Sequence, residues 1–138
     1  MRKLVILLLS IHLNAFASDA DIWVISHKVN QELTLTKQQV RQVYLGKSIV
    51  ISNLIISQPL MLNKQSNVRR TFNATMLGLT EARLQSYWAR MRFSGRSSAP
   101  MEVENIQQMF DFIISNKEAI GYVPSGIALP NDVVVIYP

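Results

Sequence analysis

The stretch MLNKQSNVRRTFNATML, residues 61–77, joins an apolar, strand-like run to an amphipathic, helix-like one. At the joint, Ser66 is a good helix N-cap, and Val68, Phe72 and Met76 follow it at helical spacing on one face. A strand that passes through a short polar turn into a helix is a typical unit of an α/β domain. The same joint raises a functional question, because a helix start flanked by cations can bind a phosphate-like anion.

Strand-like and helix-like segments alternate on both sides of this joint. Residues 21–30 are β-rich and apolar on both faces, and residues 36–46 run from a capping box to a terminal glycine. The other predicted elements are a hairpin or loop-strand unit over 49–62, helices over 80–93 and 103–116, and closing strands within AIGYVPSG and DVVVIYP. This alternation predicts an α/β fold with a mostly parallel sheet flanked by helices.

The first 17 residues have the pattern of a secretory signal peptide. Arg2 and Lys3 precede a short apolar run, which ends in an A-x-A cleavage motif at residues 15–17. We therefore expect residues 1–17 to be removed and residues 18–138 to form one exported domain, in the periplasm of a Gram-negative bacterium. No later segment is apolar for long enough to cross a membrane. The chain has no cysteine, which excludes disulfides and thiolate chemistry.

Charge is distributed unevenly along the chain. Between Lys37 and Arg96 there are ten basic residues and one acid, Glu81, whereas from Met101 onward there are five acids and one lysine. Such asymmetry favours a face that attracts anions. The alternative is that these charges belong to the solvated faces of separate helices.

Little in the sequence favours catalysis. His27 stands alone on a predicted strand, no metal-ligand spacing is present, and no nucleophile–base pair can be assembled. The aromatic residues Phe72, Tyr87 and Trp88 lie on predicted core-facing stripes, which leaves no stacking platform for nucleic acid. The sequence therefore predicts a non-enzymatic protein without a cofactor, a metal or a nucleic-acid partner.

Four segments in order resemble the phosphate-binding type of periplasmic substrate-binding protein, in its short single-domain form. They are LTKQQVRQVYLGKS, SNVRRTFNATMLGLT, YWARMRFSGR and AIGYVPSG, and with the preceding strand they extend over nearly the whole predicted mature chain. The resemblance implies a single lobe of a type 2 periplasmic binding protein-like fold, related to the binding proteins of ABC importers. In full-length members, two lobes grip an oxyanion in the cleft between them.

The resemblance also implies a binding site. Ser66 matches the helix-start serine of the family, and Arg69 matches an arginine that short members carry one turn into the helix. Asn67 and Val68 replace a glycine and a threonine, and Lys64 stands in a segment where the family has an arginine and an aspartate. These five residues form the implied ligand-binding set for phosphate or a similar anion.

The glycine loop after the third predicted helix adds one candidate to this set. Arg92 and Arg96 bracket the loop, and Arg96 is the candidate ligand residue there because the loop could close over the same anion. A single lobe would leave such a ligand exposed to solvent, so we expect weak, salt-sensitive binding.

Two interpretations of the joint remain open at this stage. In the first, it holds an anion; in the second, Ser66 is only an N-cap and Arg69 is a structural ion-pair partner. The second corresponds to a non-catalytic interaction module of the cell envelope with a decayed ligand site. An apolar surface left where a second lobe would pack predicts, in addition, a homodimer.

Overall fold

The computed structural model describes residues 22–138. The predicted signal peptide (residues 1–17) and the first residues of the predicted domain (18–21) lie outside this range. The described elements are β1 (Ile22–His27), α1 (Lys37–Tyr44), β2 (Ile49–Ile51), β3 (Leu54–Ile56), β4 (Gln58–Leu62), α2 (Asn67–Phe72), α3 (Glu81–Phe93), β5 (Met101–Val103), α4 (Ile106–Ser115), β6 (Ala119–Pro124) and β7 (Val133–Tyr137). Within the described range, no helix has the length and apolar character needed to span a bilayer.

Five of the strands form one sheet in the order β5-β4-β6-β1-β7. Strands β5, β4 and β6 pair in parallel, whereas β1 runs antiparallel to both of its neighbours, β6 and β7. Four of the five strands therefore point the same way, which confirms a mostly parallel sheet and makes β1 the exception. Helices α1, α2 and α4 contact this sheet, while β2 and β3 form a separate hairpin.

An aromatic cluster packs α1 and α2 against the sheet. The rings of Phe72 and Tyr122 stack with centroids 3.9 Å apart, and Tyr44 tilts against Phe72 at 4.6 Å. The Tyr44 hydroxyl donates to the carbonyl of Leu60 at 2.9 Å, and the Leu62 amide donates to the Tyr122 hydroxyl at 3.0 Å. Buried tyrosines need a partner for their polar tip. Both hydroxyls form these hydrogen bonds with β4, the strand that leads into the polar joint.

The helix starts follow the capping signals of the sequence. Thr36 and Gln39 form the predicted capping box of α1, with reciprocal hydrogen bonds of 2.8 and 3.1 Å. Ser66 caps α2 and Thr80 caps α3, each through its side-chain oxygen. Beyond its last residue, α2 continues as a π-helical turn, Asn73–Leu77. These local predictions are confirmed because a cap is decided by residues three apart in the chain.

The predicted helix over residues 103–116 is wrong at its start. Strand β5 lies there, and α4 begins only after its N-cap, Asn105. Val103 suits a helix or a strand by its spacing, and pairing with Leu62 on β4 decides for the strand. Glu102, which precedes the predicted helix, is therefore a strand residue paired with β4.

Candidate functional site

The polar turn that follows β4 is held by its own hydrogen bonds. The side-chain oxygen of Asn63 accepts a hydrogen bond from the backbone amide of Gln65 (3.1 Å). The backbone carbonyl of Asn63 accepts one from the backbone amide of Ser66 (3.0 Å). Its side-chain amide donates to the carbonyl of Glu104, just beyond β5, at 2.7 Å. The turn is thus fixed to the carboxyl edge of two parallel strands, where open α/β sheets bind their ligands.

The predicted anion-binding helix start lies directly after this turn. The Ser66 side chain accepts the amide of Arg69 at 3.2 Å, which is the N-cap contact. The amides of Asn67 and Val68 have no acceptor among residues 22–138. The exposed side chain of Asn67 accepts a hydrogen bond from Arg70. The structure therefore leaves two backbone donors open at this end of the helix, as an anion site requires.

Arg69 is buried behind this helix start, with only 3% of its surface exposed. Its guanidinium donates to the carbonyl of Leu62 at 2.6 Å and to the carboxylate of Glu102 at 3.0 Å. It also makes a two-point contact with the carboxylate of Glu81, in which Nε and Oε2 are 3.0 Å apart. Most of its donors are thus used by protein acceptors. Arg69 occupies the structural ion-pair position that the sequence left open as the alternative.

Glu81 is the centre of the same network. Besides Arg69, the side chains of Asn73 and Gln85 donate to its carboxylate, each at 2.8 Å. Burial alone would raise the pKa of Glu81, but the hydrogen bonds from Arg69 and Gln85, and the charge of the arginine, hold its pKa below the ordinary value. The network therefore contains an ionised Glu81 carboxylate that is paired with Arg69.

Lys64 stands at the mouth of a small cavity beside the joint. The cavity holds about 150 Å³, and Lys64 lines it together with Arg69, Trp88 and Glu102. Lys64 is exposed, and no ion pair forms on it within the described part of the chain. Trp88 is almost fully buried, as predicted for a core residue, yet its Nε1 has no partner among the described residues. The cavity is thus lined by an exposed cation and by an indole donor without a described partner.

Arg96 does not line the small cavity beside the joint. Its side chain is exposed, in the loop after α3, and makes no ion pair within residues 22–138. Ala99 and Pro100 of the same loop do reach the joint, because both line the small cavity beside Lys64. The structure therefore groups Lys64, Arg69 and this loop around one cavity, which residues 66–68 and Arg96 do not line. Ligand binding by any of the six candidates stays a prediction.

The sequence contained no direct signal for Glu102 or for the Trp88 indole as parts of this site. The sequence predicts Glu102 just before a helix start and Trp88 as a core residue. Both enter the site through β5 and α3 packing beside β4, which are contacts distant in sequence. Within residues 22–138, no three His, Asp or Glu side chains are grouped to hold a metal ion.

Comparison with known proteins supports the fold. The structure resembles an ABC-type phosphate transport receptor from Vibrio cholerae, with a TM-score of 0.60 and 19% sequence identity. The match covers 84% of this chain and 45% of the receptor, so the chain spans about half the length of that protein. No protein family model and no curated protein matches the chain. The likeness therefore establishes a fold similar to that of part of this receptor.

Proposed function

We propose that this protein is an exported, non-catalytic binding protein that captures phosphate or a similar oxyanion in the periplasm. Its partner would be an ABC-type importer, an assignment supported by the fold likeness to an ABC-type phosphate transport receptor, and it uses no cofactor. The observation that carries the proposal is the fixed polar turn at the carboxyl edge of β4 and β5, which ends in open helix-start amides. Lys64, in the turn just before this helix, supplies a positive charge for the anion.

The candidate site residues have different roles in anion capture. The amides of Asn67 and Val68 and the hydroxyl of Ser66 donate to the anion, and Lys64 neutralises it from the exposed side. Arg69 holds the turn and the helix in register through Leu62 and the two glutamates. Its role is therefore to position the donors.

Weak selectivity follows from the same arrangement. A carboxylate that accepts a proton can distinguish hydrogen phosphate from sulfate, which has no proton to donate. Here the nearby carboxylates, Glu81 and Glu102, already accept hydrogen bonds from Arg69. We therefore expect phosphate and sulfate to bind with similar affinity, and both to be released by salt.

Isothermal titration of residues 18–138 with phosphate and with sulfate, at low and at physiological salt, tests the proposal. Saturable binding at low salt should be lost in Ser66→Asp, because aspartate still caps the helix but repels the anion. Lys64→Gln should weaken binding by about tenfold. Lys47→Gln, which removes an exposed charge outside the joint, is the matched control and should bind as the unmodified protein does.

Absence of binding even at millimolar phosphate, or equal loss in Lys47→Gln, would contradict oxyanion capture at this helix start. The second candidate function, an interaction module of the cell envelope, would then account better for the chain. The observation that favours it is the neutralisation of Arg69 by Glu81 and Glu102. It predicts a protein partner whose binding does not depend on phosphate.

Exposed apolar residues supply a surface for such an interaction or for a homodimer. Val50 and Ile55 face each other across the β2–β3 hairpin and are 65% and 42% exposed. Light scattering after size exclusion tests the homodimer. A dimer that dissociates in a Val50→Ser, Ile55→Ser variant would place its interface at the hairpin, and a monomer at every concentration would contradict the dimer.

A further inference from the structure

A second concave site lies between α1 and α3, away from the polar joint. It is a pocket of about 540 Å³, and three arginines line it: Arg41 from α1, and Arg83 and Arg90 from α3. Most of the remaining lining is apolar and comes from Leu45, Leu79 and Tyr87. We call this site the three-arginine pocket.

Helical spacing explains why these residues meet. Arg83, Tyr87 and Arg90 are separated by four and three positions, which places them on one face of α3. Arg41 and Leu45 are four positions apart at the end of α1 and present a matching face. Helix α1 and its C-cap thus contribute one arginine and one apolar residue to the pocket, and α3 contributes two arginines and Tyr87.

Two hydrogen bonds fix the pocket walls. The Tyr87 hydroxyl donates to the carbonyl of Leu45 at 2.6 Å, which ties α3 to the end of α1. Arg41 donates through Nε to the carbonyl of Leu77 at 3.0 Å, so one edge of its guanidinium is held by the protein. The terminal nitrogens of Arg41 make no hydrogen bond to residues 22–138. The Arg41 guanidinium is therefore oriented before any ligand arrives, whereas Arg83 and Arg90 have exposed side chains.

The positive charge in this pocket is not compensated by the described residues. None of the three arginines forms an ion pair within residues 22–138. Between positions 37 and 96, Glu81 is the one acid of the sequence, and both of its oxygens accept hydrogen bonds from Arg69. Three like charges around one concavity repel one another, and a bound anion relieves that repulsion.

We propose that the three-arginine pocket binds an organic phosphate. The phosphate group would be held by the guanidiniums, whose planar forks suit bidentate contacts with phosphate oxygens. The apolar body of the ligand would lie on Leu45, Leu79 and Tyr87, which inorganic phosphate leaves unused. The volume falls in the range of small-molecule sites. Neither Lys64 nor residues 66–68 line this pocket, so the inference does not rest on the proposed capture at the helix start.

Titration with 1-naphthyl phosphate, followed by NMR chemical shifts of the purified protein, tests the inference. We expect saturable shifts that are absent with 1-naphthol and weaker with inorganic phosphate. The double variant Arg83→Gln, Arg90→Gln should weaken binding by at least about tenfold. Arg92→Gln is the matched control, because Arg92 is an exposed arginine of α3 that does not line the pocket.

A soluble organic phosphate and a phospholipid headgroup share this chemistry, so a second arm uses vesicles that contain phosphatidic acid. Sedimentation with these vesicles, lost in the double variant and kept in Arg92→Gln, would assign the pocket to a lipid phosphate. Binding of 1-naphthyl phosphate alone would assign it to a soluble one. Binding of neither probe, or equal weakening by Arg92→Gln, would overturn the inference.

Discussion

Arg69 Nε lies 3.0 Å from Glu81 Oε2, so a buried arginine of α2 is paired with the first residue of α3. The same guanidinium reaches the carbonyl of Leu62 at the end of β4 and the carboxylate of Glu102 on β5. One side chain therefore joins two strands and two helices at the polar turn. The geometry of the candidate site depends on this arginine, although the arginine itself lies behind the open helix-start amides.

We expect Arg69→Met to destabilise the fold by about 3 kcal/mol, because it leaves two carboxylates and a buried carbonyl without their partner. Urea unfolding followed by circular dichroism measures the effect. Arg70→Met is the matched control, since Arg70 is the exposed neighbour on the same helix and should change stability little. Equal midpoints for the two variants would mean that the Arg69 network does not hold the fold.

Acid should destabilise the protein through Glu81. Its pKa is lower in the folded state than its ordinary value of 4.5, so the unfolded chain binds the proton more readily. The stabilisation is fully present above about pH 4.5 and is lost as the pH falls towards the folded-state pKa. Glu81→Gln should lower the melting temperature at pH 7 and flatten its decline between about pH 5 and 3. Glu32→Gln, at an exposed position, should retain the full decline.

The N-cap at Ser66 can be separated from its role in binding. Ser66→Ala removes the acceptor of the Arg69 amide and should cost about 1 kcal/mol, whereas Ser66→Asp should keep the cap. Thermal unfolding of the two variants measures the difference. If Ser66→Asp melted well below Ser66→Ala, its loss of anion binding would report damage to the fold and not repulsion.

Two glycines with positive φ give a test of local crowding. Gly46 has a φ of 102°, and a Cβ added there would lie 2.5 Å from the Ser97 hydroxyl and 3.3 Å from the Trp88 ring. Gly95 has a φ of 67° and open space around the same position. Gly95→Ala should cost about 1 kcal/mol for its backbone conformation alone. Gly46→Ala should cost about 1–3 kcal/mol more, and similar unfolding midpoints would contradict this account.

The hydroxyl of Tyr122 accepts a hydrogen bond from the buried amide of Leu62 at 3.0 Å. Tyr122→Phe keeps the ring stacked on Phe72 but leaves that amide without its acceptor, which should cost about 1–3 kcal/mol. Hydrogen exchange at the Leu62 amide should accelerate in the variant. Unchanged exchange would show that the amide finds another acceptor at the end of β4.

Part of the candidate site could be predicted from the sequence because it depends on neighbours along the chain. The N-cap at Ser66 and the turn before it are set by residues within three positions of each other. The partners of Arg69 could not be predicted in this way. Glu102 is 33 residues away, and its strand was interpreted as the start of a helix.

By itself, the sequence determined the α/β class, the helix starts at Thr36, Ser66 and Thr80, and the concentration of basic residues between positions 37 and 96. These follow from local hydrogen bonding and from the spacing of apolar residues. Tertiary structure alone decided that β1 runs antiparallel to its neighbours, that β5 is a strand, and that Arg69 is buried between two acids while three other arginines surround a pocket. The physical reason is that a three-residue strand and an ion pair gain their stability from partners distant in the chain, which local sequence patterns do not specify.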